Sequence, residues 1–574
     1  MKIKHIILAI FTLSLTFSYA QEKDTIANQT VNVIKPYTPT ISDAFKIKDN
    51  PKLSDSNTVK KKEIKYNIFS IPVASTFTPA KGKAATVERA KAVKLYDNYA
   101  SLGIGSYTTI LGEVYLNHEL SRDENVGGYF SHHSSQGGID DVVLDDDFSK
   151  TKLNAYYKKN DRDFTWQVDG GFNLQTYNWY GVPLEYYEES DLDGIDAGQT
   201  YNDLYFGGKI DFEDAIVKDA SLRFRRFGDN HDSAENRLAA KSSVDVPVQG
   251  ELINAEVSID YLGGSFDRDL ENIGEINYGN VSLGLAPSYQ MHREDLTLDL
   301  GVKFVYFNDT EYSDSKFFIY PNIEASYRLV DEILIAYGGL KGGLIQNSYY
   351  DFANENPFVS PSLFITPTDQ QYKTFVGVKG KLTNSIGYNL KANYTSEKNK
   401  ALYTSNPASN DPLTEYQFGN SFNVAYDDVT TFSVAGELNV DFNRNFTLGV
   451  KGEFFAYNTD NQSEAWNMPD LTASLFMDYQ ISEKWFAGSS IFFVGERKDQ
   501  SMYVDELNTL NNSVATVSLD SYFDINAHVG YKINDQLSVF AKANNIASEN
   551  YERWLNFPVQ GLQVLAGATY QFDF

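Results

Sequence analysis

The sequence predicts an all-β fold: a transmembrane antiparallel β-barrel of about 22 strands, preceded by an extended basic N-terminal arm. The first observation is composition, since 574 residues include 38 Phe, 39 Tyr and 5 Trp, and aromatic residues favour strands. The second is a period of two in the apolar side chains, which is typical of barrel strands. The third is a regular alternation of short and long polar links.

The alternation is clearest near the C-terminus. Residues 537–544 and 562–574 place apolar side chains at every second position and small or polar ones between them. That pattern fits a lipid-facing side and a luminal side, but it also fits one face of a soluble sandwich. The lengths of the links separate these two interpretations.

Tight links alternate with long polar links along almost the whole segment. The tight links are at 122–124, 160–162, 249–250, 293–295, 331–332, 383–385, 443–445, 482–484 and 534–535. The long links are at 136–148, 178–200, 228–236, 267–275, 308–316, 347–370, 396–416, 458–469, 497–515 and 547–560. Bacterial membrane barrels combine short turns at one end with long loops at the other and have an even strand number. Treating 416–442 as one strand preserves both features.

Three segments precede or form this barrel. Residues 1–20 are predicted to be a signal peptide, because Lys2 and Lys4 precede an apolar run over 6–17 and small residues follow it. Residues 21–95 form the basic arm, and residues 96–574 form the barrel. The apolar run is too short for a helix that crosses a bilayer, which needs about 20 residues.

Charge divides the mature chain. Residues 22–95 hold 14 Lys and Arg against 7 Asp and Glu, whereas 96–574 hold 33 against 70. The arm is either a leader with little structure of its own or a segment held by the acidic barrel. An acidic chain does not favour a nucleic-acid partner. The absence of Cys excludes disulfides and thiolate metal sites.

Several segments resemble the barrel of TonB-dependent receptors, particularly those of Bacteroidota. Residues 543–546 and 558–561, with Tyr551, Trp554 and the closing Phe574, are similar to the last two strands of that family. Residues 422–429 and 465–469 resemble earlier strands. The resemblance implies a bacterial outer-membrane location and a role in transport. It also implies contacts with outer-membrane lipid and the barrel-insertion machinery, and TonB as a candidate partner.

The chain departs from that family before the barrel. Family members carry a plug of well over a hundred residues, whereas about 75 residues precede the first strand here. We therefore expect a barrel without a standard plug. The only candidate for a TonB-binding box is the extended apolar run that includes Thr30, Val31, Val33 and Ile34.

A barrel of this size needs something to close its lumen. The arm could enter the lumen, the long loops could fold inward, or a second protein could fill or cap the pore. The opposite charges of the arm and the barrel favour the first possibility at least in part, and the other two stay open.

Candidate sites are few. Asp191, Asp193 and Asp196 surround a glycine in a long link and are candidate oxygen ligands for Ca²⁺, while a solvated acidic loop is the simpler interpretation. Tyr570 and Phe572, with Phe574, form a predicted C-terminal insertion signal. No other cofactor is expected. No nucleophile lies in a pattern with a partnered His, so we expect no catalytic residues and no enzyme activity.

Aromatic clusters lie at the ends of several strands, at 177–180, 186–187, 317–318 and 349–350. They are typical of an interfacial girdle, and a stacking platform for a sugar or another ligand is the alternative.

Two functions fit these features. The first is a channel or receptor, porin-like in lacking a standard plug, that takes up a nutrient. The second is a noncatalytic structural subunit of an outer-membrane protein complex, in which the arm binds another periplasmic or outer-membrane protein. TonB binding would favour the first function, and stable co-purification with another protein would favour the second.

Overall fold

Twenty-two strands form one closed antiparallel sheet. The computed structural model describes residues 94–574 apart from 188–189, 191, 250, 271–273, 410–411, 444 and 504–512. The first strand pairs with the last, so that Asn98 lies opposite Phe572 and the sheet has no free edge. The predicted fold class and strand number are confirmed. The proposed signal peptide and nearly all of the arm lie outside the described residues.

The barrel strands are long and follow one another around the sheet. They are β1 (Asn98–Gly105), β2 (Ile110–Ser121), β3 (Glu124–Ser135), β4 (Phe148–Asn160), β5 (Phe164–Asn178), β6 (Gly198–Phe212), β7 (Val217–Gly228), β8 (Ala234–Val248), β9 (Glu251–Phe266), β10 (Ile276–Arg293), β11 (Leu296–Asp309), β12 (Ser315–Val330), β13 (Leu334–Ile345), β14 (Thr368–Thr383), β15 (Ile386–Ser405), β16 (Phe422–Asn443), β17 (Phe446–Thr459), β18 (Leu471–Gln480), β19 (Trp485–Val494), β22 (Tyr522–Lys532), β23 (Leu537–Asn544) and β26 (Gln563–Phe572).

Four short strands and one helix lie outside the barrel sheet. The strands form two hairpins, β20 (Arg497–Tyr503) with β21 (Ser513–Leu519), and β24 (Glu552–Trp554) with β25 (Phe557–Pro558). The helix α1 (Tyr349–Glu355) lies in the link between β13 and β14. No helix of the described residues has the length and apolar content needed to cross a membrane.

The strand registers separate an outer face from a luminal face. On β14, Val376 is 65% exposed and belongs to the apolar outer face, whereas its neighbours Phe375 and Gly377 face the lumen. Successive side chains of a strand point to opposite faces of the sheet. The period of two in the sequence therefore produces one apolar face and one luminal face. The lumen is lined by polar, charged and aromatic side chains.

The links agree with the predicted rhythm, with two additions. All the tight links predicted from sequence join strands at one end, the turn end, and the turn at 213–216 was not predicted. The long links lie at the other end, the loop end. The link 106–109 is also at the loop end but is short, so the alternation begins only after β2.

The long link predicted over 396–416 is wrong in its first half. Strand β15 continues to Ser405 and pairs with β16, which begins at Phe422 and is a single strand as predicted. The charged run that suggested a loop remains in the ladder because Lys400 forms an ion pair with Glu397 across a bulge. Strands of 20 and 22 residues are about twice the length needed to cross a bilayer, so this pair extends beyond the barrel.

The two faces of β10 allow a direct test of the barrel orientation. Leu283 is exposed on the outer face, and its neighbour Ser282 faces the lumen at the same depth. We expect Leu283→Arg to lower the free energy of unfolding in lipid bilayers by about 2–4 kcal/mol, because the charge must enter hydrocarbon. Ser282→Arg is the matched control and should change it much less. Denaturant titration of protein refolded into vesicles measures both, and equal losses would contradict the assignment of faces.

Candidate functional site at the loop end of the barrel

Helix α1 is fixed to the barrel wall by a buried carboxylate. Glu235 on β8 accepts hydrogen bonds from the backbone N–H groups of Tyr349 and Tyr350 at 2.6 and 3.2 Å, and from the hydroxyl of Tyr278 at 2.8 Å. The first N–H groups of a helix have no partner within the helix and carry partial positive charge, so a carboxylate there is favourable. Ser348 caps the same turn by accepting from the N–H of Asp351 at 3.1 Å.

A second group of contacts holds the same helix. Arg237 donates to both carboxylate oxygens of Asp260, at 3.0 and 2.6 Å, and reaches Asp351 at 3.4 Å. The guanidinium of Arg225 lies 3.6 Å from the ring centre of Tyr350. The link that begins on β13 is therefore attached to β7, β8 and β9.

After the helix, residues 356–360 form a turn, in which the N–H of Val359 donates to the carbonyl of Asn356 at 3.3 Å, and then pair with Phe422. Phe422 donates its N–H to the carbonyl of Phe358 at 3.0 Å and accepts from the N–H of Ser360 at 2.9 Å. The carbonyls of Pro357 and Phe358 accept from the hydroxyl of Tyr201 at 2.9 Å and the indole N–H of Trp179 at 3.3 Å. This backbone segment is thus paired on both sides.

Loops from the remaining wall meet this segment. The ring of Phe358 stacks on Phe557 with centroids 3.8 Å apart, and Tyr180 donates to the carbonyl of Pro558 at 2.9 Å. The side-chain amide of Asn420 donates to the carbonyl of Trp179 at 2.7 Å. Loops that leave the wall at β5, β13, β15 and β23 therefore converge over the lumen.

Their apolar side chains form one buried cluster, which we call the mouth core. Its largest fully buried members are Trp179, Tyr201, Phe227, Leu262, Phe266, Tyr349, Leu363, Tyr416, Phe422 and Phe557. Burial of a large apolar side chain contributes about 1.5–3 kcal/mol, so the core makes the closed arrangement stable. Of the three ways to close the lumen, inward folding of the loops is present in the structure.

The mouth core changes the interpretation of the aromatic clusters. Trp179 and Tyr349 are fully buried, so the clusters at 177–180 and 349–350 are neither an interfacial girdle nor an open platform. Phe317 is 62% exposed on the outer face of the barrel, as a girdle residue should be. The sequence carried one usable signal, since Ser348 and Asp351 have the spacing of a helix N-cap.

A cleft of about 880 Å³ opens beside the mouth core, within the range of sites for small ligands. The rings of Tyr522 and Tyr551 line it and stack on each other with centroids 3.8 Å apart and planes 4° apart. Its carboxylates are Glu185, Asp520, Glu549 and Glu552, and no Lys or Arg of the described residues lines it. The cleft can therefore offer hydrogen-bond acceptors and aromatic faces to a ligand.

Two buried ionisable side chains, Arg497 and Asp499, lie beside this cleft on β20 of hairpin β20–β21. Arg497 donates to the backbone carbonyl of Glu552 at 2.7 Å and to that of Arg553, and its guanidinium lies 5.4 Å from the ring centre of Tyr522. Asp499 is fully buried and accepts from the N–H of Ser405 at 3.1 Å. Burial raises the pKa of Asp499 to about 7, although its hydrogen bonds and Arg497 oppose the shift.

The predicted site residues lie only partly within the described residues. Asp196 accepts from the N–H of Gly198 at 3.1 Å, Asp193 lies nearby in the chain, and Asp191 is outside the described residues. No group of three potential ligands occurs within the described residues, so the Ca²⁺ site stays a prediction. The segment with Thr30, Val31, Val33 and Ile34 is also outside them.

The C-terminal aromatic residues lie where an exposed terminal signal needs them. Tyr570 stacks on Phe572 at 5.8 Å on the outer face of β26, and Phe574 is 76% exposed. Recognition of these residues by the insertion machinery stays a prediction.

Known proteins share the fold of this chain but little of its sequence. No family model matches the sequence. No curated protein matches it either. Among solved structures, the ferripyoverdine receptor of the outer membrane of Pseudomonas aeruginosa is similar with a TM-score of 0.60 and 14% identity, over 84% of this chain and 73% of that one.

Two further solved structures match about equally well. The siderophore receptor PirA from Acinetobacter baumannii has a TM-score of 0.61 and 12% identity, over 84% of this chain and 81% of that chain. The FrpB iron transporter from Neisseria meningitidis has a TM-score of 0.63 and 11% identity, over 83% and 82%. The chain therefore has the fold of an outer-membrane receptor barrel, which supports an outer-membrane location.

Glu235 provides a test of how the mouth is held closed. We expect Glu235→Ala to speed hydrogen exchange of the amides of α1 by tenfold or more, because two helix N–H groups and the Tyr278 hydroxyl lose their acceptor. Glu251→Ala is the control, since Glu251 also accepts from a tyrosine hydroxyl but at the exposed turn end. Equal protection of α1 in both variants would contradict the anchoring role of Glu235.

Asp499 gives hairpin β20–β21 a dependence on pH. Because its pKa is raised in the folded protein, the hairpin is most stable below about pH 4, and that stability is lost as pH rises through 7. We expect Asp499→Asn to flatten the pH dependence of the amide protection factors of β20 and β21, which are corrected for the intrinsic exchange rate, between about pH 4 and 7. An unchanged slope in the variant would show that another group causes it.

Proposed function

We propose that this protein is an outer-membrane receptor-type barrel that takes up a solute, and that its own loops gate the lumen. The observation that carries the proposal is the mouth core, which packs residues of the β5–β6, β13–β14, β15–β16 and β23–β26 links together at the loop end. The solved structures of this fold are described as siderophore receptors and an iron transporter, which supports uptake as the function.

The remaining parts of the proposal follow from the sequence. A Bacteroidota-type barrel without a standard plug would use the loops as the closure. The segment with Thr30, Val31, Val33 and Ile34 would contact TonB, and Tyr570, Phe572 and Phe574 would direct insertion into the outer membrane. The protein would carry out transport without catalysis and without a nucleic-acid partner.

Uptake requires that the loops separate. The contacts that must break first are those between residues 358–360 and Phe422, because they join the β13–β14 link to the β15–β16 link. The acceptor-rich cleft is lined by the β15–β16 link together with the β5–β6 and β23–β26 links, and it is where a solute would first bind. Binding energy gained there could offset the loss of contacts in the mouth core.

Removal of the closing segment tests the gate. We expect the full-length protein to be silent in planar lipid bilayers and a variant without residues 350–362 to conduct, because that segment carries the centre of the mouth core. Removal of 311–313 is the matched control, since this exposed link lies outside the mouth core and should leave the protein silent. A silent 350–362 deletion that is folded would contradict gating by this segment.

A clamp tests the same gate without deleting residues. Val359 and Phe422 are bridge partners, and the chain has no other cysteine, so Val359→Cys with Phe422→Cys can be joined selectively. The oxidised variant should stay closed at voltages that open the reduced one. Equal conductance of the oxidised and reduced forms would show that the gate lies elsewhere.

One observation also favours the structural alternative. The mouth core joins loops from distant parts of the wall in one buried apolar cluster, as expected if the barrel is a permanently closed subunit of an outer-membrane complex. Stable co-purification with another outer-membrane protein, together with a clamp that has no effect on the growth of cells, would support this alternative.

A further inference from the structure

A group of lysines surrounds one aromatic ring on the luminal wall below the mouth core. Lys341 on β13 lies directly opposite Lys373 on β14, and Lys391 on β15 lies opposite Gly377. The residue between them on β14 is Phe375. The register therefore places three lysine residues beside one phenylalanine, all on the luminal side.

The aromatic rings lie flat because glycines make room for them. A Cβ atom at Gly339 would lie 2.6 Å from the ring of Phe375, and one at Gly377 would lie 2.6 Å from the ring of Tyr337. Each ring thus covers a glycine of the neighbouring strand, with its face turned along the wall. Such a surface favours cations above it.

The lysine ammonium groups occupy that surface. The Nζ atom of Lys391 lies 4.5 Å and that of Lys341 5.8 Å from the centre of Phe375. Further toward the turn end, the Nζ atom of Lys379 lies 5.1 Å from the centre of Tyr337. From Lys373 to Lys379 the strand covers about 20 Å, so the positive groups form a ladder along the lumen.

Among the described residues, only Lys341 of this ladder forms an ion pair with a carboxylate. Glu324 pairs with Lys341 at 2.5 Å, and Glu453 is within electrostatic range of Lys391 but accepts from the hydroxyl of Ser433 at 2.9 Å. Neither Lys373 nor Lys379 forms an ion pair with a described residue. Like charges directly opposite each other destabilise a sheet, so the pairing of Lys341 with Lys373 lowers stability unless an anion lies between them.

We propose that this lysine ladder binds a small oxyanion, a phosphate or a carboxylate, in the lumen. Ammonium groups from three neighbouring strands would each donate to its oxygens. When no anion is bound, the cation–aromatic contacts would hold the lysine side chains in place. Lys379 would be the next position for the anion on its way toward the turn end. The site differs from the acceptor-rich cleft in both location and charge.

Titration of the intact, purified protein with inorganic phosphate tests the proposal. In lipid-free detergent at low salt, calorimetry should show saturable binding to the wild type. Lys373→Gln should weaken it by tenfold or more, and the double variant with Lys341→Gln should abolish it. Lys209→Gln is the matched control and should bind normally, because this luminal lysine lies on β6, away from the ladder on β13–β15.

Thermal unfolding separates binding from a structural role. If the lysines serve an anion, Lys373→Gln should raise the Tm without phosphate and remove the upward shift that phosphate produces. A lowered Tm with an unchanged phosphate shift would overturn the proposal. So would an absence of saturable phosphate binding to the wild type, or an equal loss of affinity in Lys209→Gln.

Discussion

The closed mouth depends on one buried carboxylate. Glu235 sits where two helix N–H groups and a phenol need an acceptor, and burying such a charge is costly unless donors surround it. Helix α1 therefore has one favourable position on the wall. Everything that packs on the following segment, from Trp179 to Phe557, depends on where that helix begins.

The wall of the barrel could be predicted because it follows local rules. Period two and tight turns are written into consecutive residues, and even the choice of one strand for β16 was correct. The error at 396–416 arose where a bulge and the Lys400–Glu397 ion pair keep charged residues in the ladder. Local composition cannot show that such a run has a partner strand.

The mouth core could not be predicted, because its contacts join residues far apart in the sequence. Trp179 meets Phe358, and Tyr180 meets Pro558, with no periodic pattern to link them. Aromatic residues in these loops look like a membrane girdle until the loops are seen to turn inward.

The net charge of the barrel segment was similarly ambiguous as a guide to the lumen. The acidic total of the barrel segment conceals luminal lysines, since the strand register alone determines which side chains share the lumen.

The distance along the chain between contacting loops has a consequence for assembly. Gln560 donates to the hydroxyl of Ser135 at 2.9 Å across 425 residues, so this bond forms only after the two ends of the sheet have met. Contacts of such long sequence separation form late in folding because loop closure must come first. The mouth would therefore seal last. Until its first and last strands pair, the sheet is open and the mouth core is incomplete. A sealed mouth therefore marks a barrel that has closed correctly.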